Sequence, residues 1–223
     1  MSFPARVTAS RQLGPGLWHL SLEAPPGFSF KAGQFVVLPL PAEPAPGAKR
    51  LKGYYSVASS PGSLPGLELL VEHRQGGGQV SAWVSGLTAG QTVELEGPLG
   101  YFGLVDAPGP CVFVGSGAGL APLRSLLLHA LQQGNDAWLF LGGDGPDPWL
   151  LHQDWLALAQ RDTRFHYVPV LGTGPELAAQ ALAKAPAGAR FHLAGFSAEL
   201  APVHAALLAG GIAADRLKLE KFG

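Results

Sequence analysis

Two stretches of this chain carry residue types that can do chemistry. The first, GYYSVASSPG (Gly53 to Gly62), sets Tyr54 and Tyr55 beside Ser56 in a chain with only four tyrosines. A tyrosine ring is flat and apolar with a polar edge, and a serine hydroxyl both donates and accepts, so Tyr55-Ser56 suits a flat heteroaromatic ligand. The same letters also read as an ordinary β-strand ending in a Ser-Pro-Gly turn. The second, CVFVGSGAGLAPLRSLLLHAL, runs a buried strand from Cys111 into Gly115-Ser116-Gly117-Ala118-Gly119 and then into a helix beginning near Leu120. Backbone N–H groups at a helix start lack partners and can meet an anion. Glycine lets the main chain come close to it. Pro122 agrees with a helix start, since its missing N–H costs nothing in the first turn. The spacing is not the usual dinucleotide fingerprint, because Leu120 stands where its third glycine would fall. A tight strand-to-helix turn of any doubly wound domain is the competing reading.

A third position belongs with these. The segment AWLFL ends at Gly142-Gly143-Asp144, and an acidic residue beyond the carboxyl end of a parallel strand can accept hydrogen bonds from a ribose diol. Asp144 is that candidate, with a solvated turn residue as the alternative. Asp136 precedes the strand and so falls at its wrong end. From Ser125 to Gln160 there is neither Lys nor Arg to fix a 2′-phosphate, which favours NADH over NADPH.

Two kinds of periodicity must position these residues. Up to about residue 106 the chain reads in short alternating segments, ARVTASRQL, GLWHLSLEA, GQFVVLPLP, KGYYSVASS, LELLVEHR and QTVELEG, each bounded by Gly or Pro. Six such strands, with a helical turn or two only at Ser81 to Leu87, predict a six-stranded antiparallel β-barrel. After DAPGP (Asp106 to Pro110), apolar strands alternate with helical stretches, which predicts a Rossmann-like α/β domain with a five-stranded parallel sheet. The expected domains are residues 1–106 and 107–223. The loop Pro39 to Arg50 reads as a connection between strands.

Composition excludes several functions. Apolar residues make up 47% and charged ones 14%, with a net charge of −1, which leaves no electrostatic footprint for nucleic acid or an anionic membrane. No apolar run approaches a membrane span, and the first residues lack an apolar signal core. The single cysteine, Cys111, rules out a disulfide framework or an all-Cys iron–sulfur cluster within the chain. It opens a buried strand, where a thiol behaves as a small hydrophobe. A cytoplasmic, reducing setting is expected. Seven histidines are scattered without metal-ligand spacing, so no metal site is expected. A nucleophile elbow is absent. Leu120, Leu123, Leu127 and Leu131 recur at helical spacing as core, and Trp149 lies near enough to a loop to touch an adenine.

In order along the chain stand Tyr55-Ser56, Gly78-Gln79-Val80-Ser81, Gly97-Pro98-Leu99-Gly100, Gly115 to Pro122, Ala194-Gly195-Phe196 and Glu220-Lys221-Phe222. This series resembles the ferredoxin–NADP reductase superfamily over essentially the whole chain. The resemblance implies FAD on the barrel and a pyridine nucleotide on the second domain, with a hydride passing to the flavin and single electrons leaving for an iron–sulfur or haem electron-transfer protein. It implies that Tyr55 stacks on the isoalloxazine, that Ser56 and Val57 border it near N5, and that Gly78, Val80 and Ser81 meet the flavin pyrophosphate. Arg74 falls where a flavin phosphate contact is often found. Gly115, Gly117, Ala118, Gly119, Pro122, Asp144 and Gly195 would hold the nucleotide, and Phe222 would shield the flavin face. Ser56 and Glu220 are the groups expected nearest the transfer locus.

The departures are specific. Gly53 stands where the family carries an arginine that clamps flavin phosphate, and Lys52 or Arg50 would have to reach across. Ala194 replaces a cysteine near the nicotinamide, and Asp144 follows a strand that often ends in Tyr-Gly-x-Arg. These losses support a second reading, a module of the same fold that no longer binds nucleotide or flavin productively and serves as a regulatory or electron-transfer subunit. A plain NAD-dependent dehydrogenase conflicts with the N-terminal barrel.

Overall fold

The computed structural model describes residues 2–41, 47, 49–73, 76–145 and 147–222. The first lobe is built from β1 (Ser2–Gly14), β2 (Leu17–Glu23), β3 (Phe35–Pro39), β4 (Lys52–Ser56), β5 (Gly66–Glu72) and β6 (Thr92–Leu99). They form one sheet in the order β4-β3-β6-β1-β2-β5, and every paired neighbour is antiparallel. The two outer strands meet just past Ser56, where Val57 bridges Leu69 and the Ala58 N–H donates to the Glu68 carbonyl at 2.7 Å. The sheet thereby curls round its own core, with its two outer strands joined at that point. Strand alternation fills that core: Val36 and Leu38 of β3, Leu20 and Leu22 of β2, and Leu67, Leu69 and Val71 of β5 point inward. The helix α1 (Gln79–Ser85) closes one end with Val80 and Val84. It starts two residues before the expected Ser81, because Gly78 serves as its N-cap and Gly86 stops it.

The second lobe alternates β7 (Cys111–Ser116), α2 (Leu120–Gln132), β8 (Ala137–Gly143), α3 (His152–Arg161), β9 (Phe165–Leu171), α4 (Pro175–Lys184), β10 (Arg190–Phe196), α5 (Ser197–Ala209) and β11 (Leu217–Phe222). The sheet runs β11-β10-β7-β8-β9, all parallel. Both faces are covered, so its strands read as nearly continuous apolar runs. Cys111, Phe113 and Leu139 pack beneath α2 and α3, while Val112, Val114 and Phe140 pack beneath α4 and α5. Among the described residues no helix is long and apolar enough to cross a membrane.

The helix α2 also joins the lobes. Leu70 of β5 and Ala58 share its apolar cluster. Arg124 donates to the Ala58 carbonyl at 2.7 Å and pairs with Glu68, Ser125 Oγ donates to the Ser59 carbonyl at 2.7 Å, and Ser60 Oγ donates to Gln132 Oε1 at 2.7 Å. His19, 3.6 Å from Glu68, and Arg124 hold the Glu68 carboxyl at about 2 despite its partial burial. On the same face of the sheet, the Val105 N–H donates to His192 Nε2 at 2.9 Å, and Arg190 donates to the Val105 carbonyl at 3.0 Å. That bond fixes the His192 tautomer: Nε2 accepts, so Nδ1 carries the hydrogen and donates to the Val112 carbonyl at 3.2 Å. Burial lowers the His192 pKa to about 3, so the ring is neutral.

Candidate functional site

Chain order in the parallel sheet reverses between β7 and β10, and in such sheets ligands gather beyond the carboxyl ends of the strands at that point. There β7 ends in Gly115-Ser116, a short 3-10 turn over Gly117–Gly119 follows, and α2 begins at Leu120 as the sequence predicts. The glycines have a reason the sequence does not reveal. A Cβ on Gly119 would land on the Ala194 carbonyl oxygen of β10, and one on Gly115 would lie 2.8 Å from the same oxygen. Both absences admit the neighbouring strand. Neither Ser116 nor Gly119 caps the helix with a side chain, so the first N–H groups of the turn are free of local capping.

Facing this turn across the lobes is a crevice of about 160 Å³. The first lobe contributes Tyr54, Tyr55 and Ser56 from the end of β4, and Leu70 and Glu72 from β5. The second contributes Ala118 from the 3-10 turn, Ala121 from the start of α2, Phe196 from the end of β10 and Phe222 from the end of β11. Phe196 and Phe222 meet edge to face, ring centres 5.9 Å apart, and form one wall. Tyr54 is exposed and sets its ring against Phe35. Tyr55 is only 9% exposed and belongs to the core of the first lobe. Its burial pushes the phenol up to about 12, so it presents a neutral hydroxyl.

The Tyr55 ring lies over Gly53. A Cβ at position 53 would stand 2.6 Å from Tyr55 Cε2 and 2.8 Å from both its hydroxyl and Val80 Cγ1. The space a side chain at 53 would use is therefore taken by Tyr55 and Val80. Neither neighbouring cation reaches across: Lys52 Nζ is bound to both oxygens of Glu96 at 2.6 and 2.9 Å, and Arg50 to the Leu40 carbonyl at 2.7 Å and Glu94 at 3.2 Å. Each reaches across β3 to a glutamate of β6, which the alternation of β6 places on its outer face.

The other sequence candidates divide as follows. Val57 is fully buried, and its N–H is spent on the Gln34 carbonyl at 2.9 Å. Gly78 accepts from Ser81 Oγ at 2.9 Å. Ser81 Oγ stands 3.0 Å from His73 Nδ1, so that ring nitrogen is the donor to it. Val80 packs inward, and Pro122 is buried in α2. Arg74 lies outside the described residues. Asp144 is exposed just past β8, and the Asp136 carbonyl accepts from Cys111 N at 2.9 Å at the opposite end of the strand. Trp149 donates its indole N–H to the Val170 carbonyl at 3.0 Å and so is held to β9. Gly195 pairs with Lys221 on β11, which brings Phe196 and Phe222 level. Glu220 sits opposite Ala194, two residues before Phe222, and is half-buried with its pKa raised by burial. It is not among the residues that line the crevice.

Sequence reasoning missed Glu72. Its Oε2 accepts from the Ala118 N–H at 3.4 Å, across the lobes. The signal was present: Leu70 and Glu72 share one phase of β5, opposite to the inward Leu69 and Val71, and that phase faces α2. Taken together, two phenol rings, two phenylalanines, a serine hydroxyl and a turn whose N–H groups no neighbouring side chain of its own lobe caps fit a flat heteroaromatic group meeting a diphosphate.

Two family models match the chain. Residues 6–103 match an oxidoreductase FAD-binding domain, and residues 113–182 an oxidoreductase NAD-binding domain. Ferredoxin–NADP reductase B of Sorangium cellulosum is 36% identical over 177 residues, 77% of this chain and 70% of that protein. The reductase subunit of an aromatic O-demethylase from Amycolatopsis is 36% identical over 155 residues, 66% of this chain and 45% of that protein. Among solved structures, an Amycolatopsis cytochrome P450 reductase superposes with a TM-score of 0.86 at 28% identity, over 100% of this chain and 70% of that one. A ferredoxin NADP+ reductase from Neisseria gonorrhoeae, solved with FAD and NADP, shares the fold at a TM-score of 0.79 and 22% identity, over 99% of this chain and 98% of that one.

Proposed function

The chain belongs to the ferredoxin–NADP reductase superfamily, and from that premise we propose that it is an FAD-dependent NAD(P)H oxidoreductase passing electrons to a redox partner protein. The observation that carries this reading is the crevice itself, where Tyr55 and Ser56 of the FAD-binding lobe face Ala118 of the NAD-binding lobe across a gap walled by Phe222. Bound flavin supplies the exchange between two-electron and one-electron chemistry that the side chains present cannot perform.

In this proposal the chain's own residues bind and orient. Tyr55 offers its ring edge and neutral hydroxyl, and Ser56 a hydroxyl at the mouth of the crevice. The start of α1 at Gly78 to Ser81 faces the flavin phosphates, with Ser81 already held by His73. The turn Gly115 to Gly119 takes the nucleotide diphosphate, with Pro122 and Gly195 shaping its surroundings. The crevice is smaller than the roughly 300 Å³ at which small-molecule pockets begin, so Phe222 swings aside when a tricyclic ring and a nicotinamide are both present. Glu220, whose pKa burial raises, is the nearest acid on the same strand. NADH is the preferred nucleotide, on the exposed Asp144 carboxylate and the cation-free stretch that follows α2. The acceptor is an iron–sulfur or haem electron-transfer protein; in support, relatives carry the names ferredoxin–NADP reductase and ferredoxin–NAD(+) reductase component of an alkene monooxygenase system. The domain boundary falls in the segment between β6 and β7, near residue 106. The lone cysteine supports a cytoplasmic setting.

The test is reconstitution with FAD followed by anaerobic addition of NADH and NADPH in turn. Visible flavin absorbance that NADH bleaches faster than NADPH is the expected result; yellow protein that neither nucleotide bleaches would overturn the turnover assignment. A second reading has one specific observation behind it: Tyr55 covers Gly53 while Lys52 and Arg50 are committed to glutamates. A colourless protein even after FAD is supplied would favour that reading, a non-catalytic module of the same fold.

A further inference from the structure

The strand β5 hands one charged group from the first lobe to the second. Leu69 and Val71 point into the first lobe's core, while Leu70 packs against α2, so Glu72 leaves the strand on the α2 side. There its Oε2 accepts from the Ala118 N–H at 3.4 Å, and the same oxygen lies 3.5 Å from where a Cβ on Gly117 would stand. The carboxylate therefore rests over both middle residues of the Gly115 to Gly119 turn. No side chain of the turn or of α2 caps these N–H groups. The anion that the turn attracts comes from the other lobe, and it also lines the crevice.

We propose that Glu72 is an affinity-determining residue for the pyridine nucleotide. Its carboxylate stands in for the diphosphate at the Ala118 N–H and must withdraw before the diphosphate can take that donor. The inference rests on the nucleotide reading above and adds a residue to it. Two like charges cannot share one N–H in a half-buried crevice without strong repulsion. The contact is at the long limit of a hydrogen bond, so it yields readily, as an exchangeable stand-in requires. Because Glu72 belongs to the FAD-binding lobe, its withdrawal also breaks a direct link between the lobes whenever nucleotide enters.

The experiment is calorimetric titration of the full chain and its Glu72→Gln variant with ADP-ribose, which carries the diphosphate, and with adenosine, which does not. Removing the charge is expected to tighten ADP-ribose binding roughly fivefold to tenfold, to leave adenosine unchanged, and to lose most of this gap at high salt. Should Glu72→Gln fail to fold, Glu72→Asp, which shortens the reach and keeps the charge, is expected to tighten ADP-ribose about twofold. Equal or weaker ADP-ribose binding by the folded variant would overturn the proposal while leaving the nucleotide site intact. Absence of ADP-ribose binding to both proteins would overturn the nucleotide reading itself, and the competition with it.

Discussion

Replacing Gly53 with alanine tests how the first lobe arranges its side of the crevice. The added Cβ would stand 2.6 Å from Tyr55 Cε2, and 2.8 Å from both the Tyr55 hydroxyl and Val80 Cγ1. Tyr55 is 9% exposed and Val80 8%, so both are packed on most sides and Tyr55 could yield only toward the crevice. Val80 is β-branched and held in a helix, which leaves it one strongly preferred rotamer. Overpacking of this kind costs about 1–3 kcal/mol, and the loss of glycine's unfolded-state freedom returns about 0.4–1 kcal/mol. The net cost of about 1–2 kcal/mol lowers Tm by about 2–8 °C for a chain of this size. Scanning calorimetry reads this directly. A double-mutant cycle with Tyr55→Phe, which removes the hydroxyl from one of the three close approaches, is expected to return about 0.5 kcal/mol or more as coupling. An alanine variant that melts at or above the parent, or a cycle without coupling, would refute the placement of Tyr55 over Gly53.

Three further outcomes are expected. Arg124→Met leaves the partly buried Glu68 with His19 but without its guanidinium partner and costs about 2 kcal/mol. Since the Glu68 pKa is lowered from 4.5 to about 2, the stability it supplies is fully present above 4.5 and lost as pH falls toward 2, so the gap between parent and variant in denaturant unfolding closes across that window. His192 is lowered from 6.5 to about 3 by burial, so the unfolded chain binds the extra proton between those values; Tm of the parent falls as pH drops below 6.5, and His192→Gln shows a flatter profile. Asp144→Asn weakens NADH binding about tenfold in steady-state KM with little change for NADPH, as loss of a charged acceptor for the ribose diol requires; equal effects on both would remove Asp144 from the nucleotide site.

What the sequence displayed and what it hid divide along physical lines. Alternation of apolar residues exposed all six strands of the first lobe, because each strand has one face on a core and one away from it. Continuous apolar runs between helical stretches exposed the parallel sheet, because both of its faces are covered. Pro122 and the glycine run located the start of α2 at Leu120. What stayed hidden depends on contacts between segments distant in the chain. Nothing local to Gly119 says that the Ala194 carbonyl needs its missing Cβ, and nothing local to Lys52 says that Glu96 lies within its reach across β3. Tyr55 and Tyr54 are adjacent, so period two separates them, yet which one is buried depends on the register with β3 and on the packing of α1. Glu72 could have been found from its phase with Leu70, but only once β5 was known to run beside α2.

The central claim is that the gap between Ser56 and Ala118 receives a flavin ring held by the first lobe, with Phe222 as its movable wall. A crystal structure of the protein grown with both FAD and NAD+ tests it most directly. Density for the isoalloxazine against Tyr55 and Ser56, with Phe222 turned away from Phe196, is the predicted result. FAD bound elsewhere, or Phe222 still packed on Phe196 over an unchanged crevice, would contradict it.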